Sequence, residues 1–211
     1  MTLPKGASPT ASNSASIPLE LVLASESPRR EALLLQAGIT PDAIRPARID
    51  ENPRRAELPR AYALRMAQEK ARAVSGTWTG APALILAADT VVALGRRILP
   101  KAETDAQVRA CLTLLGGRSH QVLTAVALAN PQRRVLFRSV ATRVSFARLA
   151  TNMIDEYVAS GEGLGKAGGY AIQGKAEAFV RRINGSYSNI VGLPLFETVN
   201  LLKGAGYSVQ C

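Results

Sequence analysis

The stretch Leu21-Val22-Leu23-Ala24-Ser25-Glu26-Ser27-Pro28-Arg29-Arg30 joins an apolar run to the start of a helical pattern. The apolar residues 21–24 predict a strand, and residues 31–37 predict a helix. Ser27 suits an N-cap, and Pro28 suits the first helical turn, where its missing N–H group has no partner to lose. Backbone N–H groups, two hydroxyls and two guanidinium groups therefore converge on one point, a combination that favours phosphate. Taken alone, the stretch is equally typical of a well-capped surface helix with solvated arginines.

The composition of the chain indicates a basic globular protein with anionic partners. The chain has 211 residues, 47% apolar content, 5% aromatic residues and a formal net charge of +10. A positive field raises the local concentration of polyanions, which include nucleic acid, lipid headgroups and nucleotides. The basic residues are not interleaved with aromatic ones, which disfavours a platform that stacks single-stranded bases. We therefore expect a nucleotide partner and no stable complex with nucleic acid.

The N-terminal segment and the cysteines bear on the cellular location of the protein. Residues 1–17 are rich in Ser, Thr, Ala and Pro, lack the features of a signal or transit peptide, and are predicted to be a disordered tail. Residues 18–211 are assigned to one catalytic domain, and no apolar run is long enough for a transmembrane helix. Cys111 and Cys211 indicate neither a disulfide framework nor a metal pair. We expect a cytoplasmic protein without a membrane partner.

Helix and strand patterns alternate along the rest of the chain without internal repeats. The apolar run 83–94 is typical of a strand buried on both faces, and 118–129 with 133–147 alternate like a long antiparallel hairpin. The spacing of apolar residues predicts helices over 58–74, 104–115, 151–159 and 193–202, and further strands over 170–172, 178–183 and 207–209. The predicted fold class is α/β, with an antiparallel part in the middle.

Asp89 is the most informative single residue, because its neighbours in Leu84–Val92 are all apolar except Thr90. An ionised carboxylate inside such a strand is costly unless a cation or hydrogen-bond donors meet it. A carboxylate beside a cationic phosphate pocket can bind Mg²⁺ and activate water as a general base. A buried aspartate that only accepts backbone hydrogen bonds is the alternative.

Other polar residues carry weaker signals. Lys70 and Lys101 can each supply a point charge to a phosphate, although either can be a solvated surface charge. Glu51 follows Asp50 in a loop that offers a second carboxylate for a metal. His120, the only histidine, lies on an alternating strand without a nearby triad partner and is interpreted as structural. Gln173 has a side-chain amide that can both donate to and accept from the edge of a nucleobase.

Four stretches, in this order, resemble the signature stretches of the Maf family of nucleoside triphosphate pyrophosphatases. They are Ser25–Arg30, Ala88–Val92, Lys166–Gly174 and Ile183–Pro194. The similarity runs from about residue 21 to residue 202 and leaves out the tail.

The resemblance implies an elongated mixed β-sheet with flanking helices, arranged as two lobes around a central cleft, commonly in a homodimer. It also implies hydrolysis of a nucleoside triphosphate to the monophosphate and pyrophosphate with a divalent cation, Mg²⁺ or Mn²⁺. The catalytic aspartate corresponds to Asp89, which would hold the metal together with Glu51. The remaining implied roles are phosphate binding by Ser25, Arg29, Arg30, Lys70 and Lys101, and base selection by Arg30, Thr90 and Gln173.

The stretch Lys166–Gly174 is similar to the dTTP/UTP pyrophosphatase group, so we expect pyrimidine substrates. The Cys- and Ser-containing stretch of the 7-methyl-GTP pyrophosphatase group is absent from this position. Ala102 stands where the family often has proline, and Glu26 stands at a position that is usually small. Two alternatives stay open, a broad house-cleaning pyrophosphatase for modified nucleotides and a basic nucleotide- or nucleic-acid-binding regulator of cell division.

Overall fold

A computed structural model describes residues 19–209, so the tail predicted for residues 1–17 lies outside the described residues. The helices are α1 (Pro28–Gln36), α2 (Pro59–Thr77), α3 (Asp105–Leu115), α4 (Thr151–Ala159), α5 (Tyr187–Val191) and α6 (Leu195–Gly204), with a 3₁₀ helix at Lys175–Phe179. The strands are β1 (Glu20–Leu23), β2 (Ala43–Ile44), β3 (Ala83–Leu94), β4 (Arg97–Leu99), β5 (Lys101–Ala102), β6 (Ser119–Ala129), β7 (Val135–Phe146), β8 (Lys166–Ala167) and β9 (Val180–Asn184).

The strands of the described chain form one mixed sheet and one short ribbon. The order in the sheet is β2-β1-β3-β6-β7-β9, and β4 pairs with the end of β3. β1 runs parallel to β2 and β3, whereas β3, β6, β7 and β9 are joined by antiparallel pairing. β5 and β8 form a separate antiparallel ribbon. The predicted α/β class, with a mixed sheet and flanking helices, is confirmed; the single two-lobed domain over 18–211 stays a prediction.

β3 is the central strand, and its residues are buried on both faces as the sequence predicts. Successive side chains of a strand point to opposite faces. Leu86 packs in the larger core with α1 and α3, whereas Ala87 packs in the smaller core against the alanine-rich face of α2. The same alternation turns Asp89 toward α2 and Thr90 toward the opposite side of the sheet. One strand therefore presents its two polar residues to different surroundings.

Several predictions near the C-terminus were wrong. Residues 170–172 form an irregular turn rather than a strand, because Gly168 and Gly169 adopt φ of +68° and +70° and redirect the chain. Residues 207–209 follow α6 without forming a strand. The strand expected over 178–183 begins as a 3₁₀ helix, and the short helix α5 was not predicted. In the part of the chain that the structure describes, no helix is long and apolar enough to cross a membrane.

Candidate active site

A cleft of about 420 Å³ lies beside the N-terminus of α1. The turn between β1 and α1, the middle of β3, the β5–β8 ribbon and the loop after β8 all contribute to its walls. All the residues that the sequence singled out for catalysis, phosphate binding, base selection and metal binding line this cleft. They are Ser25, Arg29, Arg30, Glu51, Lys70, Asp89, Thr90, Lys101 and Gln173.

Asp89 is buried, with 5% of its surface exposed, and meets Lys70 of α2. The Lys70 ammonium donates to Asp89 Oδ1 at 2.8 Å and lies 3.1 Å from Glu51 Oε1. Burial raises the pKa of the Asp89 carboxyl, and the positive charges of Lys70 and Arg30 act against that rise. The alternation of β3 places the carboxylate on the α2 side, where the alanines around Lys70 allow the helix to pack closely.

The two lysines occupy different positions relative to the carboxylates. Lys70 is 7% exposed and bridges Asp89 and Glu51, so it is not a solvated surface charge. Lys101 is exposed, and its ammonium lies 3.5 Å from Glu51 Oε2. Burial acts to raise the pKa of Glu51, but the ammonium groups of Lys70 and Lys101 together bring it below its ordinary value. Phosphate binding by these lysines stays a prediction, since both face carboxylates in this structure.

Arg30 is held by groups from three separate segments. Its Nε donates to the carbonyl of Gly192 at 2.8 Å, Nη1 donates to Ser25 Oγ at 2.9 Å, and Nη2 donates to Thr90 Oγ1 at 3.3 Å. Thr90 in turn shares a hydrogen bond of 2.9 Å with Thr124 on β6. A guanidinium has five N–H donors, so two remain for a ligand. Burial lowers the pKa of Arg30, although nearby Asp89 opposes that change.

The N-terminus of α1 opens toward the cleft. Ser27 occupies the N-cap position, but its hydroxyl makes no capping hydrogen bond to the helix. Instead, Ser25 Oγ accepts from the Ser27 N–H at 3.2 Å and shapes the turn. The first N–H groups of a helix carry partial positive charge and bind anions. Arg29 stands at this end and forms no ion pair with the residues that the structure describes.

Two cationic residues of the cleft were not assigned a role from the sequence. Lys166, on β8, lines the cleft and donates to the carbonyl of Leu164 at 3.1 Å. Burial and the nearby Arg29 guanidinium lower the pKa of Lys166. Arg48 also lines the cleft and is exposed. The glycine-rich stretch around Lys166 was the available signal, because such a segment lets backbone and side chains approach a ligand closely.

His120 lies outside the lining of the cleft, in keeping with its structural interpretation. It is 2% exposed, its Nε2 is 2.8 Å from the hydroxyl of Tyr170, and its ring packs edge-to-face on Phe146 with centroids 5.0 Å apart. Burial lowers the pKa of His120 to about 4. The histidine is therefore neutral at pH 7.

The fold and the cleft together define an α/β protein with a cleft that is lined by cationic residues beside a buried carboxylate. The chain belongs to the Maf-like protein family, whose pattern it matches over residues 20–205. The family predicted from the four signature stretches is confirmed.

Individual relatives cover most of the chain. A protein named dTTP/UTP pyrophosphatase from Caulobacter vibrioides is 59% identical over 187 residues, which are 89% of this chain and 96% of the relative. One of the same name from Maricaulis maris is 57% identical over 189 residues, covering 90% of this chain and 89% of the relative. A HAM1 protein from Coxiella burnetii of known structure is 20% identical, with a TM-score of 0.48 over 88% of this chain and 99% of its own. At that distance it has no bearing on the site.

Proposed function

We propose that this protein is a nucleoside triphosphate pyrophosphatase that hydrolyses dTTP and UTP to the monophosphate and diphosphate. The observation that carries the proposal is the cleft itself, where a buried carboxylate lies beside an open helix N-terminus and several cations. The names of the relatives supply the substrate class. In the reaction, the oxygen of a water molecule forms a bond to the α-phosphorus. The bond from that phosphorus to the bridging oxygen breaks, and diphosphate leaves.

In this proposal Asp89 accepts the proton of the attacking water. Its burial raises its pKa, which makes it a better base than an exposed aspartate, and Lys70 keeps the ionised form accessible. Ser25, the N-terminus of α1 and Arg29 would bind the phosphate groups. Lys166 adds a positive charge at the same end of the cleft. These groups stabilise negative charge on the departing diphosphate.

A divalent cation, Mg²⁺ or Mn²⁺, fits the residues present. Asp89 and Glu51 both reach the Lys70 ammonium, at 2.8 and 3.1 Å, so the two carboxylates already converge on one positive charge. The described residues hold no group of three or more His, Cys, Asp or Glu side chains around a common point. Mg²⁺ commonly binds through one or two carboxylates together with substrate phosphates. Asp89 and Glu51 can provide the two carboxylates. When bound, the ion would supply Lewis-acid stabilisation of charge on the phosphate oxygens.

Base selection is assigned to Arg30, Thr90 and Gln173. Arg30 and Thr90 are hydrogen-bonded to each other and lie on one side of the cleft, where two guanidinium N–H donors remain free for a ligand. Gln173 reaches the cleft from the loop after β8. An amide offers both a donor and an acceptor, which suits the mixed donor and acceptor edge of a pyrimidine.

The assembly and location are further parts of the proposal. Leu136 and Phe137 of β7 are each 44% exposed, on a part of the strand that β9 does not reach. Exposed apolar residues on such an edge favour pairing with a second copy, so we propose a homodimer. A cytoplasmic location would keep the buried thiol of Cys111 reduced. Light scattering of the wild type and of a Phe137→Lys variant tests the dimer, which the charged variant should weaken.

Product analysis with Mg²⁺ tests the activity directly. Monophosphate and diphosphate from dTTP and UTP, and little from ATP, GTP or 7-methyl-GTP, are expected. Asp89→Asn should lower kcat by about 10²- to 10⁴-fold, the usual contribution of a general base. Asp105→Asn, an exposed aspartate on α3, is the matched control and should retain activity. Near-full turnover by folded Asp89→Asn protein would refute the role of Asp89. Release of inorganic phosphate instead of diphosphate would refute the reaction.

A further inference from the structure

Two residues that do not line the cleft fix the loop that carries Gln173. Tyr157 on α4 is 2% exposed, and its Oη accepts a hydrogen bond from the Ala171 N–H at 3.0 Å. Glu162 lies just beyond α4, and its Oε2 accepts from the Lys175 N–H at 2.8 Å. Ala171 and Lys175 stand two residues before and two residues after Gln173. The backbone is therefore held on both sides of this one side chain.

The turn between these two points is closed and tightly packed. The Gly174 N–H donates to the carbonyl of Ala171 at 3.1 Å, which folds the chain back at Gln173. A Cβ atom at Gly174 would lie 2.1 Å from Glu162 Oε2, far inside van der Waals contact. Glycine at this position therefore lets the carboxylate reach the backbone of the loop. Glu162 acts as a close-fitting support as well as a hydrogen-bond acceptor.

The two supports are connected to each other, and Tyr157 is packed in the core. Ser160 Oγ donates to the carbonyl of Tyr157 at 2.6 Å and accepts from the Glu162 N–H at 3.4 Å. The Tyr157 ring packs edge-to-face on Phe179, with centroids 5.5 Å apart. The end of α4 thus forms one unit with two acceptors aimed at the loop. The Gln173 side chain is exposed and forms no hydrogen bond with the residues that the structure describes, so the backbone supplies its positioning.

We propose that Tyr157 and Glu162 are positioning residues for base selection, which hold the Gln173 amide where it meets the edge of the base. The inference rests on the proposed function, in which Gln173 contacts the pyrimidine. Hydrogen bonds weaken steeply with distance and angle, so a loosely held amide discriminates poorly between bases. Uracil and cytosine differ in the donors and acceptors on that edge. The ratio of kcat/KM for UTP to that for CTP therefore measures the position of the amide.

The test compares Tyr157→Phe and Glu162→Ala with the wild type, using purified full-length protein, Mg²⁺, UTP and CTP. Each variant should lower the UTP-to-CTP ratio by about 10-fold, because a displacement of about 1 Å can cost as much as 100-fold in an oriented contact. The value of kcat for UTP should stay within about 2-fold, since neither residue touches the reacting groups. Glu162→Gln keeps an acceptor for the Lys175 N–H and should restore most of the discrimination. The matched controls are Tyr207→Phe and Glu156→Ala. Neither the Tyr207 nor the Glu156 side chain forms a hydrogen bond with the residues that the structure describes.

Gln173→Ala separates failure of this inference from failure of the proposed function. If it loses discrimination while Tyr157→Phe and Glu162→Ala keep theirs, the positioning role is overturned and the proposed function stands. If Gln173→Ala keeps full discrimination, the base contact assigned to Gln173 is wrong, and the role of the two supports is wrong with it. Tyr157→Phe combined with Gln173→Ala should discriminate no worse than Gln173→Ala alone, because both changes remove one contact. An additive loss would show that Tyr157 acts elsewhere.

Discussion

Replacing Lys70 with methionine removes the cation that lies between two carboxylates. The Lys70 side chain is 9% exposed and that of Asp89 is 8% exposed, so the broken pair is buried. Breaking a buried ion pair by removing one partner costs about 3–5 kcal/mol, because the remaining charge is left without compensation. Arg30 still stands near Asp89, which favours the lower end, about 3 kcal/mol. For a domain of this size that loss lowers Tm by about 6–12 °C.

The assay is urea unfolding at pH 7.5 with EDTA, so that no metal replaces the missing ammonium. Asp89→Asn alone should cost less, since Lys70 keeps Glu51 at 3.1 Å. The losses of unfolding free energy in the two single variants should not add. The Lys70→Met/Asp89→Asn double variant should lose at least 1 kcal/mol less than their sum, because residues in contact couple by about 0.5–3 kcal/mol. A loss below about 1 kcal/mol for Lys70→Met, the value of a surface pair, would refute the reasoning. Additive losses in the double variant would refute it as well.

Three further predictions concern stability outside the Asp89 pair. Below pH 6.5 the unfolded chain binds a proton at His120, whereas the folded chain binds one only near its pKa of about 4, so the free energy of unfolding falls by about 2.5 kcal/mol between pH 7 and pH 4.5. Urea unfolding of a His120→Gln variant at the two pH values should lack this part of the loss. An equal loss in the variant and the wild type would contradict the prediction. Gly168→Ala would place a Cβ atom 2.8 Å from Val92 Cγ1 at a left-handed position, and should lower the free energy of unfolding by about 1–3 kcal/mol. Thermal unfolding measures this loss, with Gly204→Ala as the control because a Cβ atom there would meet nothing within 4 Å. Thr124→Val leaves the buried carbonyl of Asn189 without its donor at 2.9 Å and should cost about 1–3 kcal/mol in the same assay; a neutral substitution would count against the bond.

The central part of the fold could be predicted because its signals are local. The unbroken apolar run of β3 and the alternating hairpin of β6 and β7 follow directly from side-chain periodicity. The isolated carboxylate in that run predicts a site role for Asp89, which lines the cleft in the structure. Its partner could not be identified in the same way. Lys70 reaches Asp89 because of the rotation of α2 over the sheet, which one sequence does not specify.

The errors near the C-terminus also have a physical cause. Residues 170–172 are apolar and predict a strand, but Tyr170 is buried in an aromatic cluster with His120 and Phe146 and the segment forms no strand. Two residues of β8 pair with β5 across more than sixty positions of sequence, which no local pattern reveals. Left-handed glycines at 168 and 169 then turn the loop toward the cleft. Tertiary contacts override local preference in this segment.

The cationic residues of the cleft differ in whether a carboxylate lies beside them. Lys70 and Lys101 lie against carboxylates, so much of their charge is already compensated in this structure. Arg29 and Lys166 have no such partner among the described residues, and each loses solvation by lying in the cleft, as their lowered pKa values indicate. An arriving triphosphate gains most from these uncompensated charges and from the helix N-terminus. Changes at Arg29 or Lys166 should therefore act mainly on substrate affinity, whereas changes at Asp89 act mainly on turnover.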